Sequence, residues 1–280
     1  MAYLPLRSVP VTGEAKAVYH RWLQGIDDEL SRPDCDRREL CRRVLTDIYR
    51  PWGAAAASLS RLFGEALNDT ERVQLLQMDS ANVTVEPEHY ADIDTERYAR
   101  VKPLLWMWEM FDRSPLGENV YLGVLFRRIL ARRIFRRCGR DFKAFHQVRF
   151  SCGYNMEVGD GVVVHRHVLL DDRGGIRLGD GASVSDYSNI YSHSHDVVNS
   201  PEITNRMTVV GAGVRIAYHA TILTGVTLAD DSMIGAGAVV SRDTEASAIY
   251  AGIPAKLVRR KPDLPRKTAP SDPFAGMFNR

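Results

Sequence analysis

Two periods of apolar residues divide the chain, one suited to helices and one to very short strands. Up to about residue 141 apolar positions recur at three and four, as one buried helix face requires. Ala17, Val18, Trp22, Leu23 and Ile26 form such a stripe within 12–30, and Leu40, Val44, Leu45 and Ile48 form another within 37–50. Pro33 separates these runs and Pro51 stops the second, since proline removes a donor and clashes with the preceding turn. Further helices are expected over 54–67, 69–78 and 95–111, the last with a kink at Pro103. In 120–140, Arg127, Arg128, Arg132, Arg133, Arg136 and Arg137 wrap most of the way round a helix instead of gathering on one face. That segment reads as a solvated helix leading into the next domain, ahead of an anionic-ligand or subunit contact or a membrane contact.

After about residue 142 the period becomes six. Apolar residues fall at Val158, Val164 and Leu170, at Leu178, Val184 and Ile190, and then at Val210, Ile216, Ile222, Leu228, Ile234 and Val240. Four positions after each comes a small or β-branched residue: Val162, Val168, Ala182, Ser188, Ser194, Val214, Ala220, Val226, Ser232 and Ala238. Such a repeat means a flat strand ending in a tight turn, three sides making one triangular coil with the large residue inside. The expected fold is mainly β, a left-handed parallel β-helix of hexapeptide repeats with an α-helical N-terminal region. That hand departs from the usual right-handed crossover. The expected divisions are a helical region 1–141, a β-helix domain 142–260 and a tail 261–280. Two interruptions stand out: two extra residues within LLDDRGGIRLG, and a long loop over 196–209. Long loops in compact repeat proteins usually serve function.

With 37 basic against 35 acidic residues the net charge is +2, which gives no global electrostatic case for nucleic-acid binding. Cys35, Cys41, Cys138 and Cys152 lack metal-ligand spacing and read as reduced and buried. The first residues lack the pattern of a signal peptide, and no stretch of about 18 apolar residues occurs. A cytoplasmic protein is expected, with membrane contact unlikely on composition alone.

The segments IYSHSHDV at 190–197, VVGAGVRIAYHATILTGVTLADDSMIGAGAVVSRD at 209–243 and YAGIPAKLVRR at 250–260 resemble the maltose, galactoside and related sugar O-acetyltransferases of the hexapeptide-repeat acyltransferase superfamily. The resemblance implies an acyl-CoA-dependent O-acyltransferase using acetyl-CoA as co-substrate, with a small-molecule hydroxyl acceptor, a homotrimeric assembly and no metal. It implies that the histidine just before the long loop, His195, is the catalytic general base. Imidazole titrates near neutrality and can take a proton from the attacking hydroxyl. The repeat register turns Ser194 inward, which would leave His195 pointing outward toward a neighbouring subunit. His193 also points outward in that register and is the rival.

The resemblance further places acceptor-binding residues at His165, Asp171 and Asp172, with DDRGG alternatively a plain polar turn. His165 stands where those enzymes commonly carry asparagine. Along the coenzyme, Tyr218, Ala236 and Ser241 are expected to flank the pantetheine arm, with Arg242, Lys256 and Arg259 near the phosphates. Arg215 replaces the usual tryptophan. Serine O-acetyltransferase is the nearest alternative, but that family's catalytic histidine would fall where this chain has Asp172. A non-enzymatic or zinc-binding β-helix is the alternative of a different class, because His165, His167, His193, His195 and His219 could reach a metal across an interface.

Overall fold

The computed structural model describes residues 11–49, 68–90, 93–199, 202–262 and 272–279. The helix expected over 54–67 lies outside the described residues. Helix α1 (Gly13–Leu30) starts at Thr12, whose hydroxyl accepts from the Ala15 N–H and so satisfies one of the unpaired donors of the first turn. Its buried line runs through Leu23, Ile26 and Leu30. Val18, five residues or about 140° round the helix from Leu23, is 46% exposed. Helices α2 (Arg37–Tyr49), α3 (Asp69–Leu76) and α4 (Glu86–Tyr90) follow. Helix α5 (Thr95–Arg113) is capped by Asp94 and continues through Pro103.

Helix α6 (Val120–Ile134) corrects the expectation of a solvated arginine-rich helix, because it is the central buried element. Arg127 and Arg128 are 1% and 0% exposed. Arg127 Nε donates to Asp112 Oδ1 at 2.8 Å and Arg127 Nη2 to the Gly117 carbonyl at 2.8 Å. Arg128 donates to the carbonyls of Phe142, Phe274 and Met277 at 2.9, 2.8 and 2.6 Å. Buried arginines persist only where charge and donors are matched, and here the partners are the Asp112 carboxylate and the carbonyls of Gly117, of Phe142 in the first coil and of Phe274 and Met277 in the C-terminal segment. Asp112 also accepts from the Gln147 N–H at 2.8 Å, and Trp108 Nε1 donates to the Val148 carbonyl at 2.9 Å. The helical region and the coils therefore share one hydrophobic core.

Three sheets of five, seven and five strands, parallel except for the last strand of the second, form the sides of the β-helix. The first holds Arg137–Cys138, Met156–Val158, Ile176–Leu178, Thr208–Val210 and Thr227–Leu228, and the third holds Arg149–Phe150, Leu169–Asp171, Asn189–Tyr191, Thr221–Ile222 and Val239–Val240. The first coil thus begins at Arg137, ahead of the boundary expected at 142, because this strand already pairs with Met156–Val158. Repeat register is kept along each side: Val158 faces Leu178, which faces Val210, which faces Leu228. All twelve apolar positions of the repeat are at most 2% exposed, each contributing about 1.5–3 kcal/mol by leaving water. The second sheet ends on Lys256–Arg260, which pairs antiparallel with Ala248–Ala251.

The segment 272–279 lies against the first coil and α6, the opposite end of the stack from Lys256–Arg260. Lys143 Nζ donates to Asp272 Oδ2 at 2.5 Å, Asn279 Oδ1 accepts from the Asp141 N–H at 2.9 Å, and Phe274 is 4% exposed. It packs as part of the core, where the sequence suggested only a tail. The four cysteines are free; Cys41 and Cys152 are buried and Cys35 and Cys138 partly so. Among the described residues no helix is long and apolar enough to cross a membrane.

Candidate active site

Both interruptions of the repeat fall at the corner where the third side turns into the first, in consecutive coils. The earlier one, 172–175, stacks on the exit of Asn189–Tyr191. The Gly174 N–H donates to Ser192 Oγ at 2.8 Å, and Ser192 Oγ donates to the Asp171 carbonyl at 2.5 Å. A Cβ on Gly174 would lie 2.1 Å from the Ser192 carbonyl oxygen, so only glycine fits that rung.

From Ser192 the chain leaves the coil. His193–His195 pairs antiparallel with Ile203–Asn205, setting His193 opposite Asn205 and His195 opposite Ile203. Asp196 forms the turn, its carboxylate accepting from the N–H groups of Val198 and Asn199 at 2.8 and 2.7 Å, which holds its carboxyl below the usual range. Antiparallel pairing overrides the hexapeptide register here. Ser194 is exposed instead of facing inward, and His193 is 8% exposed instead of pointing outward. His195 is exposed.

The two imidazoles meet edge to face, with centroids 4.8 Å apart at 83° and Nε2 to Nε2 at 3.1 Å. His193 Nδ1 lies 2.9 Å from Asn205 Oδ1, and the His193 carbonyl accepts from Thr224 Oγ1 of the next coil at 2.6 Å. Thr208 Oγ1 donates to the Tyr191 carbonyl at 2.6 Å where the chain rejoins the coil. Beside the pair opens a cleft of about 410 Å³, lined by Tyr191, His193, Ser194, Thr204, Arg206, Leu223, Thr224 and Ser241. The stem of Arg206 lies on Gly225, whose φ is +76° and where a Cβ would come within 3.1 Å of Arg206 Cδ.

Of the residues singled out in the sequence, His193, His195 and Ser241 are therefore brought to one corner. Asp171 and Asp172 sit one coil earlier and are 3% and 0% exposed. Asp171 pairs with Arg173 at 2.8 Å and accepts from Ser151 Oγ at 3.1 Å. Asp172 Oδ1 accepts from the Cys152 N–H at 2.7 Å and Oδ2 from the Asn155 N–H at 3.3 Å. Burial pushes the Asp172 carboxyl up to about 6, against the opposing pull of those N–H groups. Both carboxylates tie the bulge to the preceding coil, Asp171 through Ser151 and Asp172 through the Cys152 and Asn155 N–H groups.

His165 is at the corner between the second and third sides, stacked on Phe145 with centroids 5.2 Å apart, and burial lowers its pKa. Tyr218 and Ala236 are exposed at that same corner in later coils, where the Gly237 N–H donates to the Tyr218 carbonyl at 2.9 Å. Arg242, Lys256 and Arg259 are exposed. Among the described residues none of the three joins an ion pair with a carboxylate. Asn205, Arg206 and Thr224 were not singled out by sequence reasoning. The signal available for the first two was the reversal at Asp196, which places 203–206 back across from 192–195. Among the described residues no group of three or more His, Cys, Asp or Glu side chains is placed to hold a metal ion.

No family model matches the chain. Galactoside O-acetyltransferase of Escherichia coli K12 is 26% identical over 137 residues, which is 48% of this chain and 68% of that protein. A serine acetyltransferase of Buchnera aphidicola is 26% identical over 120 residues, 42% of this chain and 44% of its own length, so the chain spans less than half of that relative. Among solved structures, a maltose O-acetyltransferase from Clostridium difficile 630 superposes with a TM-score of 0.54 at 22% identity, covering 62% of this chain and 92% of the other. A hexapeptide-repeat acetyltransferase of Vibrio cholerae complexed with acetyl coenzyme A gives 0.52 at 21%, covering 60% and 89%. With its parallel three-sided coils, the chain has the left-handed β-helix fold of these solved structures and is similar in sequence to a galactoside O-acetyltransferase.

Proposed function

We propose that this protein transfers an acyl group, acetyl in the first instance, from acyl-CoA to a hydroxyl of a small acceptor such as a sugar or glycoconjugate, with His195 as general base. The observation that carries the reading is the exposed imidazole of His195, held on a hairpin at the only long excursion among the described coils, beside a hydroxyl-lined cleft that reaches Ser241. The acceptor O–H gives its proton to His195 as its oxygen attacks the thioester carbonyl. The carbon–sulfur bond then breaks, and the imidazolium returns the proton to the leaving thiolate. No covalent enzyme intermediate is required.

Tyr218, Ala236 and Ser241 flank the pantetheine arm in this reading, and Arg242, Lys256 and Arg259 meet the phosphates. Their exposure supports the assignment, as do the three cations free of carboxylate partners among the described residues. Acceptor hydroxyls meet Tyr191, Ser194, Thr204 and Thr224, and the buried Asp171 and Asp172 are left out. The exposure of His195 suits a site completed by a neighbouring copy in a homotrimer, which light scattering checks; a fully active monomer would overturn that part. An Asp172 with no exposed surface speaks against the serine acetyltransferase alternative. The decisive experiment measures CoA release from acetyl-CoA with a panel of sugars, amino acids and phenolic alcohols. Acceptor-dependent release that disappears in His195→Ala is expected, and release with no acceptor, or unchanged release in that variant, would sink the proposal.

A further inference from the structure

We propose that the cleft beside the histidine hairpin takes an acceptor that carries an oxyanion, a sugar acid or a sugar phosphate, and that Arg206 is the residue that selects it. This inference rests on the acyltransferase reading above and narrows its acceptor. Arg206 stands where the hairpin rejoins the coil, one residue beyond the Ile203–Asn205 strand. Its N–H donates to the Ser192 carbonyl at 2.9 Å, which fixes its backbone at the exit of the third side. Its stem runs along the following coil: a Cβ built on Gly225 would lie 3.2, 3.8 and 3.1 Å from Arg206 Cβ, Cγ and Cδ. Glycine at that rung leaves the aliphatic part room to lie flat, so the direction of the side chain is set before any ligand arrives.

Of the residues that line the cleft of about 410 Å³, Arg206 is the only arginine or lysine, and none is an aspartate or glutamate. Tyr191, Ser194, Thr204, Thr224 and Ser241 bring hydroxyls. The carboxylates around the hairpin are turned to other donors. Asp196 accepts from the Val198 and Asn199 N–H groups at 2.8 and 2.7 Å, Glu202 Oε1 accepts from Asn199 Nδ2 at 3.4 Å, and Asp171 holds Arg173 at 2.8 Å. Among the described residues no carboxylate pairs with Arg206, and its guanidinium donates to no protein oxygen.

Arg206 is exposed, so water satisfies those donors until an acceptor enters. A ligand that fills the cleft displaces that water, and the planar fork of N–H groups then requires oxygens in its place. A carboxylate or phosphate offers two charged oxygens that match the fork, whereas a neutral sugar offers single hydroxyls. An oxyanion therefore restores what the guanidinium loses, and a neutral acceptor restores only part of it. The anion takes no part in the transfer; it holds the acceptor while one of its hydroxyls meets His195.

The experiment compares acceptors that differ only in charge. CoA release from acetyl-CoA is measured with galacturonate, galactose and galactose 6-phosphate on the full-length wild type, Arg206→Gln and Arg206→Lys. In the wild type kcat/KM for at least one anionic sugar should exceed that for galactose by about 10-fold or more, and in Arg206→Gln this ratio should fall by about 10- to 100-fold, the scale of a charge-assisted hydrogen bond. Arg206→Lys keeps the charge without the fork and should fall between the two. The ratio is read within one enzyme preparation, so a general loss of folded protein cancels. Preference for galactose 6-phosphate over galacturonate with the same dependence on Arg206 identifies the anion as phosphate, and the reverse identifies it as carboxylate; either upholds the inference. Equal rates with charged and neutral sugars, unchanged in Arg206→Gln, would refute it while leaving the acyltransferase reading intact. A raised KM for acetyl-CoA with an unchanged ratio would assign Arg206 to the coenzyme and refute it as well. Isothermal titration of the two anionic sugars without acetyl-CoA supplies a readout apart from turnover. Binding that disappears in Arg206→Gln, with no CoA release from any acceptor, would leave the anion site standing and overturn the activity it was proposed to serve.

Discussion

Asp172→Asn separates a structural carboxylate from an acceptor-binding one. In the folded chain burial raises the Asp172 carboxyl from an ordinary 3.8 to about 6. The unfolded chain releases that proton near 3.8, so between about pH 4 and 6 the folded state holds a proton that the unfolded state has lost. Raising the pH through this window therefore removes stability. A difference of about 2 pH units at about 1.4 kcal/mol per unit amounts to roughly 3 kcal/mol. Asparagine cannot ionise, and it loses one capping contact because its amide faces the Asn155 N–H, a cost that does not vary with pH. The stability of the wild type minus that of Asp172→Asn should accordingly fall by about 3 kcal/mol between pH 4 and pH 7. Urea unfolding followed by tryptophan fluorescence reads this, since Trp108 is buried against Phe150 with ring centroids 5.0 Å apart. A difference that is flat with pH, or that grows as pH rises, would show that the N–H groups of Cys152 and Asn155 outweigh burial. A selective rise in acceptor KM with unchanged stability would return Asp172 to the acceptor site.

Replacing His195 by alanine should cut kcat by roughly 10²- to 10⁴-fold in the CoA-release assay, and because the ring is exposed the unfolding midpoint should reflect a change within about 0.5 kcal/mol. Lys256→Ala and Arg259→Ala should raise KM for acetyl-CoA with kcat little altered, as remote phosphate contacts bind ground and transition states alike; the same KM as wild type in both would move the nucleotide elsewhere. Arg127→Met leaves Asp112 buried without its cation and should cost about 3–5 kcal/mol in denaturant unfolding. The double variant Arg127→Met with Asp112→Leu should recover part of that loss, and no recovery would argue against a charge-pair origin.

The coils were legible because period six survives as a direct consequence of the triangle: every side needs one large inward residue, and Val158 through Val240 supply it at the spacing the sequence shows. Ser194 was misplaced by the same rule. The repeat says nothing about a strand that leaves the coil and pairs antiparallel, and only the fold could reveal that His193 turns back toward Asn205. Arg127 and Arg128 were misread because their charge suggests water, whereas matched carbonyls and one carboxylate allow burial. Asp171 and Asp172 look like ligands in a polar turn until their partners are counted: Arg173 and Ser151 for the first, the Cys152 and Asn155 N–H groups of the preceding coil for the second. The seating of 272–279 left no trace in the periodicity, since its contacts are mostly backbone groups answered by Arg128 and Asp141.

Segment 272–279 also decides how the molecule would bear force. A stack of coils pulled along its axis ordinarily peels one rung at a time from the loaded end, because each rung holds only its neighbours. Here a tension applied at Asn279 is delivered to the far end of the stack, through the Asp141 N–H, the Lys143–Asp272 pair and the two carbonyls gripped by Arg128. Those contacts lie on the first coil and α6, so the load falls on the junction with the helical region before it reaches the rungs that carry the histidine hairpin.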